Sequence, residues 1–437
     1  MGGWKSTVVL LIVLVGLGGY IYFVDSKKPV GDTATKEKAF TSVTLDDIEE
    51  LEIKSDSGER SRVRKSDGLW KLLEPVAADA DQAEITSIAN ALPDLEIQRV
   101  VDENPSDLKR YGLDMPRIEV GFRKKGRTDF QRLKIGDRTP TGNELYAQTP
   151  DKKRVILLGS FVDGTFNKNT FALRDKSVLQ FPRDKVTALE LTSKSGDMQF
   201  AKSGTEWKIV KPFAARADFG AIEGIIERLH SLRMQNIVAP DGAANPANYG
   251  LDKPTGTITV GSGSSRATLL LGSTRDAVIN ARDASRPMIF TLAPTITMDV
   301  FKPLADLRRR DLFDSRAFSA TRIEFRRGEE VTALDMTKKD GKEIWKTAAG
   351  KELDAMKADD LLNRTLGLRA DSFDAAAPAS LKSPQLTVTV LYEGKTETVT
   401  FAHDGNDVVA ARSDEPGAAR IMAMAFDEAV KALDAVK

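Results

Sequence analysis

From residue 48 onward, most of the chain consists of short stretches in which apolar and polar residues alternate. Residues 48–54, 118–122 and 186–192 are examples, and such alternation predicts β-strands with one buried face. Three other stretches carry apolar residues at helical spacing and predict amphipathic helices. These residues are Ile85, Ile88, Ala89 and Leu92; Ile222, Ile225, Ile226 and Leu229; and Ala358, Leu361, Leu362, Thr365 and Leu368. The pattern predicts an α+β fold in which each mostly antiparallel β-sheet has a packed helix.

A motif of the form Tyr-Gly-Leu-Asp-x-Pro occurs twice, at Tyr111–Pro116 and at Tyr249–Pro254. The same landmarks precede both copies: Trp70, Pro75 and Ala80-Asp81, then Trp207, Pro212 and Ala217-Asp218. Because these landmarks recur about 137 residues apart in constant phase, they indicate a duplicated domain. A third, divergent copy contains Trp345, but Leu381-Lys-Ser-Pro384 replaces the motif there, without its tyrosine and glycine.

The length of 437 residues exceeds what one ordinary hydrophobic core accommodates. We predict a transmembrane anchor at residues 1–25, a linker at 26–45, and three tandem α+β repeats at 46–182, 183–316 and 317–437. A similar segment ends each of the first two repeats and leads into the next unit: Leu173–Lys176 in the first and Leu307–Arg310 in the second.

The anchor prediction rests on residues 6–24, which carry no charge and are long enough to cross a bilayer as a helix. A cleaved signal peptide is the alternative. Its apolar region would be shorter and followed by a small-x-small site, whereas this chain continues Tyr-Ile-Tyr-Phe-Val-Asp from Tyr20. Lys5 precedes the span, and Lys27, Lys28, Lys36 and Lys38 follow it, so the positive-inside rule favours the bulk of the chain inside. Long C-terminal domains, however, cross the membrane largely regardless of charge, which favours a location of the bulk of the chain outside the cytoplasm.

The amino-acid composition and the absence of certain motifs exclude several classes of function. The chain has 64 basic and 64 acidic residues, so no net charge attracts nucleic acid, and none is predicted as a partner. It has no cysteine, which excludes disulfides and thiolate zinc sites. Neither a phosphate-binding glycine loop nor a Gly-x-Ser-x-Gly nucleophile motif is present.

The residues with conceivable chemistry each have a structural alternative. Tryptophans 70, 207 and 345 either line ligand grooves or pack in the core, and their fixed phase favours the core. The two motifs are recognition loops or turns, with glycine and proline favouring turns. Carboxylate pairs such as Asp79/Asp81 and Asp359/Asp360 are typical of helix starts, with Asp81 and Asp218 as N-caps.

Two further groups complete the candidates. His230 and His403 are the only histidines, and His230 has no acidic or histidine partner three or four residues later, which disfavours a metal or a base. The sharpest cluster of charge is Arg308, Arg309 and Arg310. It is either a site for anionic lipid or glycan or a solvated linker, and the linker is the preferred interpretation. We therefore predict no catalytic, cofactor-binding or metal-binding residues.

This set of motifs resembles the bacterial membrane-anchored family of domain of unknown function 4340. The resemblance rests on the apolar span, the tryptophan strands, the Ala-Asp helix starts, the Tyr-Gly-Leu-Asp-x-Pro motif and Leu173–Lys176. It implies extracytoplasmic auxiliary proteins, often encoded near ABC-type transporters similar to those of gliding motility, and no assigned catalytic residues. On this basis we expect a single-pass protein of the inner (cytoplasmic) membrane whose bulk is periplasmic.

The expected function is a non-enzymatic accessory or scaffold protein of an ABC-type transport complex. Its expected partners are the bilayer, through residues 6–24, and an ABC transporter permease or other membrane subunits. A cell-envelope glycan- or lipid-binding module is the first alternative, and an envelope hydrolase is the second.

Overall fold

The computed structural model describes residues 37–151, 153–240, 243–340 and 342–436. The predicted membrane span at residues 6–24 and most of the predicted linker lie outside these ranges. No helix within the described ranges has both the length and the apolar character that a membrane crossing requires.

The first sheet contains nine strands within the described residues. They are β1 (Ile48–Lys54), β2 (Arg60–Ser66), β3 (Leu69–Glu74), β4 (Ala78–Asp79), β5 (Arg99–Asp102), β6 (Ile118–Lys124), β7 (Gln131–Arg138), β8 (Glu144–Gln148) and β9 (Val155–Gly159). Their order across the sheet is β4-β3-β2-β1-β6-β7-β8-β9-β5, with antiparallel neighbours. Helix α1 (Gln82–Ala91) leaves the edge strand β4, and the short helices α2 (Phe161–Phe166) and α3 (Thr170–Leu173) follow β9.

The second sheet repeats this order strand for strand among the described residues, as β13-β12-β11-β10-β15-β16-β17-β18-β14. Its strands are β10 (Ala188–Ser193), β11 (Gly196–Ser203), β12 (Glu206–Lys211), β13 (Ala215–Arg216), β14 (Asn236–Ala239), β15 (Gly256–Ser262), β16 (Ser265–Arg275), β17 (Val278–Asp283) and β18 (Ile289–Leu292). Its helices are α4 (Phe219–His230), α5 (Thr295–Val300) and α6 (Leu304–Leu307).

The third sheet keeps the order with eight strands in the described part of the chain, as β21-β20-β19-β23-β24-β25-β26-β22. Its strands are β19 (Ala320–Arg327), β20 (Glu330–Lys339), β21 (Lys342–Thr347), β22 (Ser372–Asp374), β23 (Leu386–Tyr392), β24 (Lys395–Asp404), β25 (Asp407–Arg412) and β26 (Ala418–Ile421). A single bridge between Lys346 and Glu352 stands where the other sheets have a two-residue edge strand. Helix α7 (Ala355–Leu366) corresponds to α1 and α4, and α8 (Ala423–Asp434) follows the last strand.

The three helices α1, α4 and α7 bury the apolar stripes that the sequence predicts. Ile85, Ile88 and Ala89 of α1 are fully buried in the first core, and α4 and α7 bury the corresponding residues of their copies. Mostly antiparallel sheets with packed helices, as predicted, are therefore confirmed for the described residues. The described residues form two compact units, with the boundary between Lys176 and Ser177. The second unit contains the second and third sheets. The repeat boundaries at residues 182 and 316 stay predictions.

Candidate functional site

The three tryptophans at the repeat landmarks are core residues. Trp70, Trp207 and Trp345 are 3%, 2% and 7% exposed, which leaves almost no ring surface for stacking on a ligand. Trp207 also donates from its indole nitrogen to Glu223 Oε1 at 2.9 Å. Burial raises the pKa of Glu223, but hydrogen bonds from Trp207 and Lys202 outweigh burial and hold that pKa below its usual value.

The Tyr-Gly-Leu-Asp-x-Pro motif is a turn pressed against its own sheet. Gly112 and Gly250 end short 3₁₀ helices with φ of 64° and 70°, the left-handed conformation that glycine adopts without strain. A Cβ atom at Gly136 would lie 2.1 Å from the carbonyl oxygen of Tyr111, and one at Gly272 would lie 2.2 Å from that of Tyr249. Only glycine fits at these two strand positions. Sequence reasoning missed these two strand glycines, although they too recur at the repeat spacing.

The helix-start aspartates act as N-caps. Asp81 and Asp218 accept hydrogen bonds from the backbone N–H three residues on, at 3.2 and 2.8 Å, and Asp354 does the same in the third copy. The side chain of Glu84, three residues after the first cap, pairs with Lys168 at 2.7 Å. Of the other carboxylates considered, Asp79 pairs with Lys71, and Asp360 pairs with Arg364.

The two histidines lie apart, in the second and third copies. His230 packs edge-on against Phe181, with ring centroids 5.5 Å apart. His403 lies beside Phe426, and its Nε2 is 3.9 Å from Asp427 Oδ1. Within the described residues, no cluster of three metal-ligating side chains occurs. The arrangement of the histidines is thus one of packing against aromatic rings.

The arginine cluster Arg308–Arg310 is not a solvated linker, and this corrects the preferred sequence interpretation. Arg308 is 5% exposed, and its backbone forms a bridge with Ala217, next to the cap of α4. Its guanidinium donates to Glu415 Oε2 at 2.9 Å and lies 4.0 Å from the ring centroid of Phe373. The residue therefore connects the second copy to the third, through partners far away in the sequence.

Glu415 is the centre of this connection, which we call the ionic joint. It accepts from the backbone nitrogen and Nε of Arg216 at 3.1 and 2.6 Å, in addition to Arg308. Nearby, Asp314 pairs with Arg216 at 2.7 Å and with Arg309 at 2.8 Å. Burial raises the pKa of Asp314, but Arg216, Arg309 and Arg412 outweigh burial and keep that pKa below its usual value.

A second buried group supports the joint from inside the third copy. Glu397 accepts from Arg412 at 2.9 Å and from the backbone nitrogen of Ser315, which is fully buried. Burial lowers the pKa of Arg412, but hydrogen bonds to Asp414 and Glu397 raise it beyond its usual value. Burial beside Glu397 also raises the pKa of Tyr392 to about 12. Both oxygens of the Glu397 carboxylate are thus engaged, one by Arg412 and the other by Ser315.

The first sheet carries a group of ion pairs centred on a buried carboxylate. Glu50, 1% exposed, pairs there with Arg62 at 2.9 Å, Arg64 at 3.0 Å and Arg123. In the second and third sheets, pairs of threonines hydrogen-bond across neighbouring strands, Thr259 with Thr268 and Thr389 with Thr398. The charges of this group are thus paired with one another within the first sheet.

A groove lies on the second copy. Its volume is about 450 Å³, and it lies between the β10–β11 turn and the segment that follows α5. Ser193 and Met198 form one wall, and Phe301, Lys302 and Leu304 form the other. The lining combines apolar surface, the hydroxyls of Ser193 and Ser195, the carboxylate of Asp197 and the ammonium of Lys302.

Comparison with known proteins identifies one family model, described as "Domain of unknown function (DUF4340)", which matches residues 70–206 and 207–401. The two matches begin at Trp70 and Trp207, the same landmark of successive copies. No curated protein matches the sequence. The crystal structure of a DNA polymerase sliding clamp from Pseudomonas aeruginosa with ligand is similar over 88% of this chain and 93% of that chain, with 9% identity and a TM-score of 0.15. So low a score carries no argument about fold or function.

Proposed function

This chain belongs to the family of domain of unknown function DUF4340, and from that premise we propose that it is a membrane-anchored accessory or scaffold protein of an ABC-type transport complex. In this proposal the chain crosses the inner membrane once, through residues 6–24. The sheets lie on the extracytoplasmic side and bind a permease or other membrane subunits. The protein performs no reaction of its own.

The ionic joint is the observation that carries the scaffold role. A scaffold must hold its binding surfaces at a fixed spacing, and in the described chain a group of buried charges joins the second copy to the third. Glu415 and Asp314 bind arginines of the second copy and of the segment that follows it. Charges paired in this way are not free to bind or activate a substrate, which favours a scaffold over a hydrolase.

Topology provides the first test. A reporter enzyme that is active only outside the cytoplasm is fused at Lys437, with a cytoplasm-only reporter at the same position as the matched control. We expect activity of the first reporter alone, because long C-terminal domains follow a signal anchor across the membrane. Activity of the cytoplasm-only reporter would overturn the extracytoplasmic placement.

Co-purification provides the second test. The tagged full chain is extracted from membranes in detergent, and the accompanying proteins are identified by mass spectrometry. We expect a stoichiometric membrane subunit of a transporter, and we expect deletion of residues 6–24 to abolish both this association and cellular function. Purification of the intact chain without any membrane subunit would refute the scaffold proposal.

A further inference from the structure

In each copy of the sheet, the first hairpin lies opposite the helical segment that follows the last strand, and we call the space between the two the gap. In the first copy a five-residue hairpin loop, residues 55–59, closes this gap with two carboxylates. Asp56 Oδ2 accepts from Asn167 Nδ2 at 2.7 Å, and Glu59 Oε2 accepts from the backbone nitrogen of Thr170 at 3.0 Å. The gap is filled there by an acidic loop of the chain itself.

The third copy closes its gap in another way. Helix α8 has 12 residues where its counterpart α5 has 6, so it extends farther across the sheet. Arg327, at the end of β19, donates to Asp434 Oδ1 at 2.8 Å and to the Val430 carbonyl at 3.4 Å. Here again a carboxylate on one side of the gap meets a polar group on the other.

In the second copy the gap is open. The hairpin between β10 and β11 has a two-residue turn, Lys194-Ser195, because Ser193 pairs directly with Gly196. Phe301 stands at the position of Asn167, just after the short helix, and Leu304 stands at that of Thr170. No hydrogen bond or ion pair joins the turn to residues 301–304 in the described structure, and the groove of about 450 Å³ occupies the space between them.

The charges around the groove are unbalanced. In the first copy Lys168 pairs with Glu84 at 2.7 Å, whereas in the second copy Lys302 takes the place of the lysine and Ala221 that of the glutamate. Lys302 and Asp197 are the charged residues of the groove lining, and Lys194 and Lys211 are direct sequence neighbours of lining residues. None of the three lysines forms an ion pair among the described residues, so the lysines at and beside the groove outnumber its one carboxylate and lie next to apolar surface.

We propose that this groove binds an acidic loop of a protein partner. The carboxylates of that loop pair with Lys302 and Lys194, in the place of the acidic hairpin loop that the second copy lacks, and its apolar side chains cover Met198, Phe301 and Leu304. This inference rests on the proposed function, because it requires a protein partner. It adds the surface used and the chemistry of the segment that is recognised.

The test uses the full chain in the membranes of its own host, with a photoreactive benzoylphenylalanine at Met198. The matched control carries the same group at Met298, which is 71% exposed on α5 and outside the groove lining. We expect a protein adduct at Met198 and none at Met298, with the cross-linked peptide carrying net negative charge. Lys302→Glu should lower the adduct yield about tenfold, whereas Lys302→Arg should preserve it.

Filling the groove gives a second variant that does not depend on a single charge. Residues Lys194-Ser195 are replaced by the five-residue loop 55–59, together with Phe301→Asn and Leu304→Thr, which restores the contacts of the first copy. We expect this variant to unfold at the same temperature as the unaltered chain or higher and to lose the partner. If this variant unfolds at a lower temperature than the unaltered chain, the adduct yield of Lys302→Glu alone tests the groove proposal.

The outcomes separate this inference from the proposed function. If a membrane subunit co-purifies but is not cross-linked at Met198, or is cross-linked equally well in Lys302→Glu, the groove proposal is refuted and the scaffold proposal stands. An adduct with a lipid, with a glycan, with a second copy of this chain or with a neutral or basic peptide also refutes the groove proposal. If the unaltered chain co-purifies with no subunit, the scaffold proposal fails first.

Discussion

Glu415→Gln tests whether the ionic joint holds the second and third copies together. The glutamate side chain is 8% exposed, and its partners Arg216 and Arg308 are 12% and 6% exposed in their side chains. Removing one partner of a buried ion pair typically costs about 3–5 kcal/mol, because the opposite charge stays buried without compensation. Since the glutamine oxygen still accepts one hydrogen bond, we expect a loss of about 2–4 kcal/mol of unfolding free energy.

The measurement is urea unfolding of the purified chain, followed by tryptophan fluorescence and by circular dichroism. The matched control is Asp299→Asn, which breaks the ion pair between Asp299 and Arg228. This pair is 2.7 Å long, like the pair of Arg216 with Asp314 in the joint, but the side chains of Asp299 and Arg228 are 39% and 36% exposed. Because exposed pairs are screened by solvent, we expect the control to change the unfolding free energy by less than about 1 kcal/mol.

A double-mutant cycle then isolates the coupling within the joint. Arg308→Met and Glu415→Leu are each expected to destabilise the chain, and together they should cost less than the sum of the two, because the double variant leaves no unpaired charge between these positions. A Glu415→Gln effect no larger than that of the control, together with additive effects in the cycle, would refute the joint as a stabilising connection.

Three other predictions follow from the core, the helix starts and the paired carboxylates. Trp207→Ala should lower the unfolding free energy by about 3–5 kcal/mol, and Trp207→Phe by less, in the same urea experiment; unchanged stability with lost partner binding would show that the tryptophan is a binding surface. Asp81→Asn and Asp218→Asn should leave cellular function intact, because asparagine caps a helix without charge; lost function at normal folding and membrane level would favour a hydrolase. Because the pKa of Asp314 is lower in the folded than in the unfolded chain, its contribution to stability is present above about pH 4 and is lost as pH falls through the folded-state pKa. Acid titration of the unfolding free energy should therefore be shallower in Asp314→Asn.

Local patterns in the sequence were sufficient for much of the architecture. The alternation at Ile48–Lys54 and the helical spacing from Ile85 reflect contacts that every strand or helix must make with its own core, so the pattern alone predicts the element. The caps at Asp81 and Asp218 were predictable for the same reason, because donor and acceptor are three residues apart. The constant phase of the tryptophans indicated their burial.

The environment of the charges was decided only by the tertiary structure. Arg308 is predicted from its neighbours as a solvated linker, yet it is buried because Glu415, 107 residues later, and the ring of Phe373 lie against it. The groove likewise depends on the short turn at Lys194-Ser195 and on the segment after Phe301, which come together only in the folded second copy. Pairing and cavity formation depend on distances between residues that are remote in the sequence, and no local periodicity records such distances.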